Sequence, residues 1–150
     1  MELRLDQITQ NNWRSAAFLT TDPDRKIPLE EKWMANNAFS LLQCIYEEDW
    51  DCRLMMDGEK AVGFVFYGYD RDANYYLLCR YMIDLEYQGR GYGSAFLPIV
   101  VEQIRRQYNC TDVYTCVHDD NSQAVALYKR FGFEPTDQMD AEERVYVLRG

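Results

Sequence analysis

Between an apolar run and an amphipathic one, the chain reads "QGRGYG" from Gln88 to Gly93, with glycine at alternate positions. Glycine is a poor helix former, yet here it stands where a helix is about to begin. A backbone without Cβ atoms admits a closely approaching ligand or a turn that other residues resist. At a helix N-terminus, unpaired N–H groups and the positive end of the macrodipole favour an anion, and Arg90 adds a cation. These residue types suit a phosphate or pyrophosphate; a tight glycine turn without a ligand is the alternative. Two common phosphate loops are excluded. No Lys-Ser/Thr pair follows the last glycine, as a P-loop requires. Ser94 stands where a dinucleotide fingerprint wants its third glycine, and the preceding strand follows a hairpin instead of opening a βαβ unit.

Downstream, "NSQAVALYKRFGF" places Asn121, Ala124, Val125 and Tyr128 at helical spacing. A small Ala124 lets an extended ligand pass close to a helix, Asn121 can bond an amide of that ligand, and Tyr128 reaches its end. The competing reading is that Val125, Leu127, Tyr128 and Phe131 only pack a core.

The elements that must position these residues follow from periodicity. "ELRLDQI" alternates and predicts a first strand. "TQNNWRSAAFL" predicts a helix capped by Thr9 or Asn11, and "LEEKWMANNAFSLLQCIYEEDW" another, broken at Asn36–Asn37. "CRLMMDGEKAVGFVFYGY" is a hairpin about Asp57–Gly58. "YYLLCRYMID" is apolar nearly throughout, as a central strand would be. "SAFLPIVVEQIRRQY" predicts a helix with Pro98 near its start, "TDVYTCVH" a strand, "NSQAVALYKRFG" a helix stopped by Gly132, and "ERVYVLRG" a last strand. With no repeats and no linker, residues 1–150 form one mixed α+β domain.

Composition narrows the function classes. The chain is 47% hydrophobic and 27% charged, which is globular rather than disordered. A net charge of −9 argues against a nucleic-acid partner and suits a cationic small molecule. Five cysteines without a C-x-x-C pair, and a single histidine, His118, give no metal-ligand pattern; reduced thiols in a cytoplasm are expected. No apolar run approaches the ~20 residues of a membrane span, and no signal peptide is visible.

Gln88, Gly91 and Gly93 match Q-x-x-G-x-G, and Asn121, Ala124, Tyr128, Gly132 and Phe133 match N-x-x-A-x-x-x-Y-x-x-x-G-F. Both motifs, in this order, resemble the GNAT superfamily of N-acetyltransferases, and within it "YMIDLEYQGRGYG" and "LYKRFGF" are most similar to small bacterial spermine/spermidine acetyltransferases. The resemblance implies a single GNAT-like domain with a mostly antiparallel, twisted sheet of about six or seven strands. About four helices would flank it, with a V-shaped opening between the central strand and the next. It implies acetyl-CoA bound by Gln88, Gly89, Arg90, Gly91, Tyr92, Gly93 and Ser94, by Asn121, Ala124 and Tyr128, and along the central strand at Met82, Ile83 and Asp84. A backbone N–H there would polarise the thioester carbonyl. It further implies transfer of acetyl to a primary amine, a polyamine first among the candidates, and a homodimer. Another amine (antibiotic, amino acid or protein N-terminus) and a non-catalytic CoA sensor are the alternatives.

The family gives Tyr128 the role of general acid, and a phenol near ~10 is matched to a departing thiolate near ~8.5. The base is less evident. Related polyamine enzymes carry an acidic residue on the central strand where this chain has Cys79. A small buried hydrophobe is the plain reading of Cys79, and an acyl-accepting nucleophile the other. Asp84, Glu31, Tyr81 or water remain as proton acceptors, with Glu31, Tyr81 and Asp84 the candidate amine site. Glu30, Glu47, Glu48, Asp49 and Asp51 either line that site or form a solvated face.

Overall fold

The structure, a computed structural model, describes residues 1–26, 32 and 35–150. Alternation gives strand β1 (Leu3–Gln7), and helical spacing gives α1 (Trp13–Phe18) and α2 (Asn37–Tyr46). The hairpin joins β2 (Trp50–Asp57) to β3 (Lys60–Asp70) through Gly58, whose φ of 57° is the left-handed conformation such a turn needs. Then follow β4 (Tyr75–Ile83), a 3₁₀ turn at Leu85–Tyr87, α3 (Tyr92–Tyr108), β5 (Val113–His118), α4 (Ser122–Phe131), β6 (Glu134–Asp140) and β7 (Glu143–Leu148). Seven strands form one sheet in the order β1-β2-β3-β4-β5-β7-β6 among the described residues. Every neighbouring pair is antiparallel except β4–β5.

Strand alternation divides the core between the two sheet faces. Val65, Tyr67 and Leu78 pack with Phe96, Val100 and Ile104 of α3 and Tyr128 of α4. Leu54, Phe64, Phe66 and Met82 pack on the other face with Ala16 and Leu19. The single domain and mixed sheet are as the sequence predicts, with three local differences. β6 was not legible, because "EPTDQMD" is exposed at all but one position and has no apolar face to alternate. The asparagine pair starts a helix instead of kinking one: Asn36 Oδ1 accepts from the Phe39 N–H at 3.0 Å. Most of the chain expected to precede it as helix lies outside the described residues. Asn12, not Thr9 or Asn11, precedes α1, and its Oδ1 accepts from the Thr9 N–H at 2.7 Å.

β4 and β5 are in register only at Leu77↔Tyr114 and Leu78↔Thr115. The Thr115 hydroxyl donates to the Leu78 carbonyl at 2.9 Å, closing the last rung. Beyond it the strands part, so residues 79–83 of β4 have no strand partner on that side among the described residues. This is the V-shaped opening that the family resemblance implies beside the central strand.

Asp84 holds the end of β4 in place. It is buried, and its oxygens accept from the Thr20 N–H at 2.9 Å, the Glu86 N–H at 3.0 Å and the Arg25 guanidinium at 2.7 Å. Burial pushes its carboxyl up, but these donors outweigh it and hold it below the ordinary carboxylate range. A lowered folded-state value means stability fully present above the unfolded value and lost as pH falls through the folded one. Asp84→Ala should therefore destabilise the protein by about 2–3 kcal/mol near neutrality, since it leaves buried N–H groups unpaired. In urea unfolding, the gap from the parent should narrow below about pH 4.

Candidate active site

The glycine loop ends β4's turn and opens α3. Gly89 and Gly91 have φ values of 77° and 86°, where a side chain is strained, and a Cβ built on either meets nothing within 4 Å. Gly91 is the N-cap of α3 and supplies no side chain to its first turn. The N–H groups of Tyr92, Gly93 and Ser94 have no acceptor among the described residues and point out of the helix start. Open space in front of unpaired donors is what a phosphate needs.

The remaining loop side chains support the backbone. Gln88 Nε2 donates to the Ile83 carbonyl at 3.0 Å, tying the loop to β4. The Tyr92 hydroxyl turns away and donates to Asp57 Oδ2 at 2.6 Å, so only its backbone faces the opening. Arg90 lies 5.5 Å over the Tyr87 ring. The Tyr81 hydroxyl donates to the Gly93 carbonyl at 2.5 Å.

A cleft of about 420 Å³ runs from this loop along Tyr81, Met82 and Ile83 to Asn121, Ala124 and Leu127 of α4. The size suits a small-molecule site. Thr21, Lys32, Gln123 and Arg130 also line it; sequence reasoning did not select them. Gln123, Leu127 and Arg130 recur at i, i+4 and i+7, so the cleft-facing stripe is rotated from the expected one. Val125 instead faces a hollow with Lys129, Arg144 and Tyr146. Asn121 caps α4, its Oδ1 accepting from the Ala124 N–H at 3.3 Å, which leaves its amide NH₂ to donate to a ligand. A larger hollow of about 950 Å³ lies between α1, α2 and β2, but it contains no residue of the glycine loop.

Tyr128 sits at the apex of the opening, buried, with its ring edge on Phe133 at 5.3 Å. Burial pushes its phenol up to about 12, while the Thr115 hydroxyl pulls the other way. It is therefore a protonated acid through the neutral range. Cys79, the first β4 residue past the last rung, opens to solvent. The protein around it nevertheless pushes its thiol up to about 11 by burial, leaving little thiolate at neutral pH.

Three candidate amine-site residues fare differently. Asp84 is spent on Thr20, Glu86 and Arg25, and its own N–H donates to the Val62 carbonyl at 2.9 Å; it has no free oxygen to take a proton. Tyr81 lines the cleft, with its phenol raised well above its ordinary value by burial and by Tyr128. Glu31, like Glu30, lies outside the described residues. Of the other acidic candidates, Asp49 is paired with Arg71 and Asp51 with Arg53 at 2.8 Å, and none of Glu47, Glu48, Asp49 and Asp51 lines the cleft.

A model of the acetyltransferase (GNAT) family matches residues 8–133. A spermine/spermidine N(1)-acetyltransferase of Bacillus subtilis is 36% identical over 93 residues, 57% of this chain and 61% of the relative's length. A spermidine N-acetyltransferase of Vibrio cholerae, solved with CoA and spermine, superposes with a TM-score of 0.74 at 17% identity, over 99% of this chain and 95% of that one. An N-acetyltransferase of Thermoplasma acidophilum, solved with coenzyme A, gives 0.70 at 14% identity over the full length of both. At such identities the two solved structures speak for the fold.

The apex chemistry is open to direct titration. In a ¹³C-tyrosine NMR series, the signal absent from Tyr128→Phe should ionise near about 12. Thr115→Val should move that ionisation higher, because it removes the hydroxyl that favours the phenolate.

Proposed function

The chain belongs to the acetyltransferase (GNAT) family, and from that premise we propose that it transfers an acetyl group from acetyl-CoA to a primary amine of a polyamine. One juxtaposition carries the reading. A glycine-lined helix start with unpaired N–H groups opens the cleft, and the buried, protonated Tyr128 lies beside Thr115, where the β4–β5 pairing ends. The names of the relatives, which act on spermine and spermidine, supply the acceptor class, and the net charge of −9 accords with a polycation.

The residues present fit CoA. Gly89 and Gly91 leave room for a diphosphate against the N–H groups of Tyr92, Gly93 and Ser94, Arg130 brings positive charge to the cleft, and Arg90 lies over Tyr87, which lines it. The unpaired edge of β4 at Met82 and Ile83 can take an extended amide-bearing arm as an added strand, with the Asn121 amide donating from the other wall. When bound, acetyl-CoA supplies an activated acetyl thioester. Tyr128 then holds the proton that a departing thiolate requires, and its burial keeps that proton in place until it is needed. The elevated Cys79 thiol favours direct attack by the amine over an acyl-cysteine route.

Thiol release from acetyl-CoA, measured with spermine, spermidine, lysine and an aminoglycoside in parallel, tests the reading. Turnover should be fastest with the polyamines; release with none of them would leave only a CoA-binding role. Tyr128→Phe should keep acetyl-CoA affinity while kcat falls ~10²–10⁴-fold. Gly91→Val, strained at its φ of 86° and filling the space before the donors, should weaken acetyl-CoA binding about tenfold or more by calorimetry.

A further inference from the structure

The amine needs a proton acceptor, and none of the described residues first considered supplies one: Cys79 is a thiol, Asp84 is saturated, and Tyr81 donates to Gly93. Strand register identifies another carboxylate. Directly opposed residues share a sheet face; Glu143 opposes His118, and Val145 opposes Cys116. Val113 and Val117 of β5 belong to the core under α3 and α4, so Cys116, His118 and Glu143 occupy the opposite face. Arg144, the next residue, turns the other way to pair with Asp119 at 3.0 Å. On the Glu143 face, β4 contributes Cys79 and Arg80 just past the last β4–β5 rung. Tyr128 is within hydrogen-bonding reach of Thr115, which forms that rung.

Glu143 is half-buried, yet its carboxylate has no hydrogen bond and no ion pair to any described residue. The contrast with Asp49, Asp51, Asp57, Asp84 and Asp119, each of which has such a partner, is plain. A half-buried carboxylate without a partner is a costly arrangement that a cationic ligand would relieve.

We propose that Glu143 receives the ammonium group of the acceptor amine and accepts its proton, replacing the carboxylate absent at Cys79. The inference rests on the amine-acetyltransfer reading above. The ammonium gives one proton to Glu143, and the freed lone pair forms the C–N bond to the acetyl carbon. The C–S bond breaks with its electrons on sulfur, which takes the Tyr128 proton. The proton shed by the acylated nitrogen restores the phenol, and Glu143 returns its own to solvent, so one proton is released per turnover.

The surroundings of Glu143 tune it for this. Burial raises its carboxyl, Asp140 on β6 raises it further, and His118 on β5 and Arg80 on β4 oppose them. Its charge in turn is felt by Cys79 on β4, Cys116 on β5 and Tyr128 on α4. A carboxylate moved toward neutrality is a stronger base than a solvated one.

The test compares the parent, Glu143→Gln and Glu143→Asp on spermine across pH, with acetyl-CoA affinity and thermal unfolding measured alongside. The parent's kcat/KM should rise at acid pH and then run flat through neutrality. Glu143→Gln should bind acetyl-CoA as the parent does, lose about 10²-fold or more in kcat/KM at pH 7, and keep climbing with pH toward the amine's own ionisation. Glu143→Asp should recover part of the loss together with the flat profile. A Glu143→Gln enzyme with the parental profile, or one that loses acetyl-CoA affinity and folding together, overturns the role of Glu143 and leaves the acetyltransfer reading standing. A parent that acetylates no amine overturns the reading itself.

Discussion

The site depends on two rungs of parallel pairing and on their stopping where they do. Leu77 and Leu78 meet Tyr114 and Thr115, the Thr115 hydroxyl closes on the Leu78 carbonyl, and pairing ends. On its other edge β4 pairs Leu78 with Tyr67 and Arg80 with Phe66, so Cys79 is an extra residue between them. Such a bulge bends its strand and increases the local twist. It falls at the first position beyond the last rung, and thus turns the rest of β4 away from β5. One inserted residue thereby frees a strand edge, opens the cleft and sets the apex where Tyr128 is buried. The same bend requires the end of β4 to be held from the far side, which accounts for a buried Asp84 with three donors.

Charge is divided along the opening. The chain as a whole carries −9, yet the cleft gathers the N-terminus of α3 and Arg130, with Arg90 stacked on its lining residue Tyr87. Across the sheet, the face bearing Glu143 has Asp140 beside it on β6. On the proposed reading a diphosphate would be attracted to one end and a polycation to the other, and each would be repelled from the wrong one. The proposed reaction falls between them, beside Tyr128 and Cys79, whose phenol and thiol are both raised.

Much of this was legible in the sequence, for identifiable reasons. Glycines with positive φ and a helix start announce themselves through residue type, as did the Asp57–Gly58 hairpin and the alternating strands. Tyr128, placed in the sequence on the same stripe as Asn121 and Ala124, is buried while those two line the cleft. The stripe was misplaced by part of a helical turn, because α4 is apolar on two sides and periodicity alone does not say which faces the ligand. Asp84 read as a free carboxylate because its partners Thr20 and Arg25 are remote in sequence. Glu143 could not be read at all. Its proximity to Tyr128 and Cys79 is made by β7 inserting between β5 and β6, a crossing that no local pattern encodes.

The thiol at Cys79 then acquires a physical role through what it is not. Two carboxylates facing each other across a narrow opening cannot both remain ionised; one is driven up until it keeps its proton. A carboxylate at residue 79 would add to the repulsion that Asp140 already exerts on Glu143 and push it further up. A thiol raised to about 11 contributes no charge there. Glu143 can thus be moved upward enough to serve as a base without being moved so far that it no longer binds a cation. On this arrangement, the loss of a carboxylate from the central strand and the presence of an unpaired one on β7 are two sides of a single electrostatic solution.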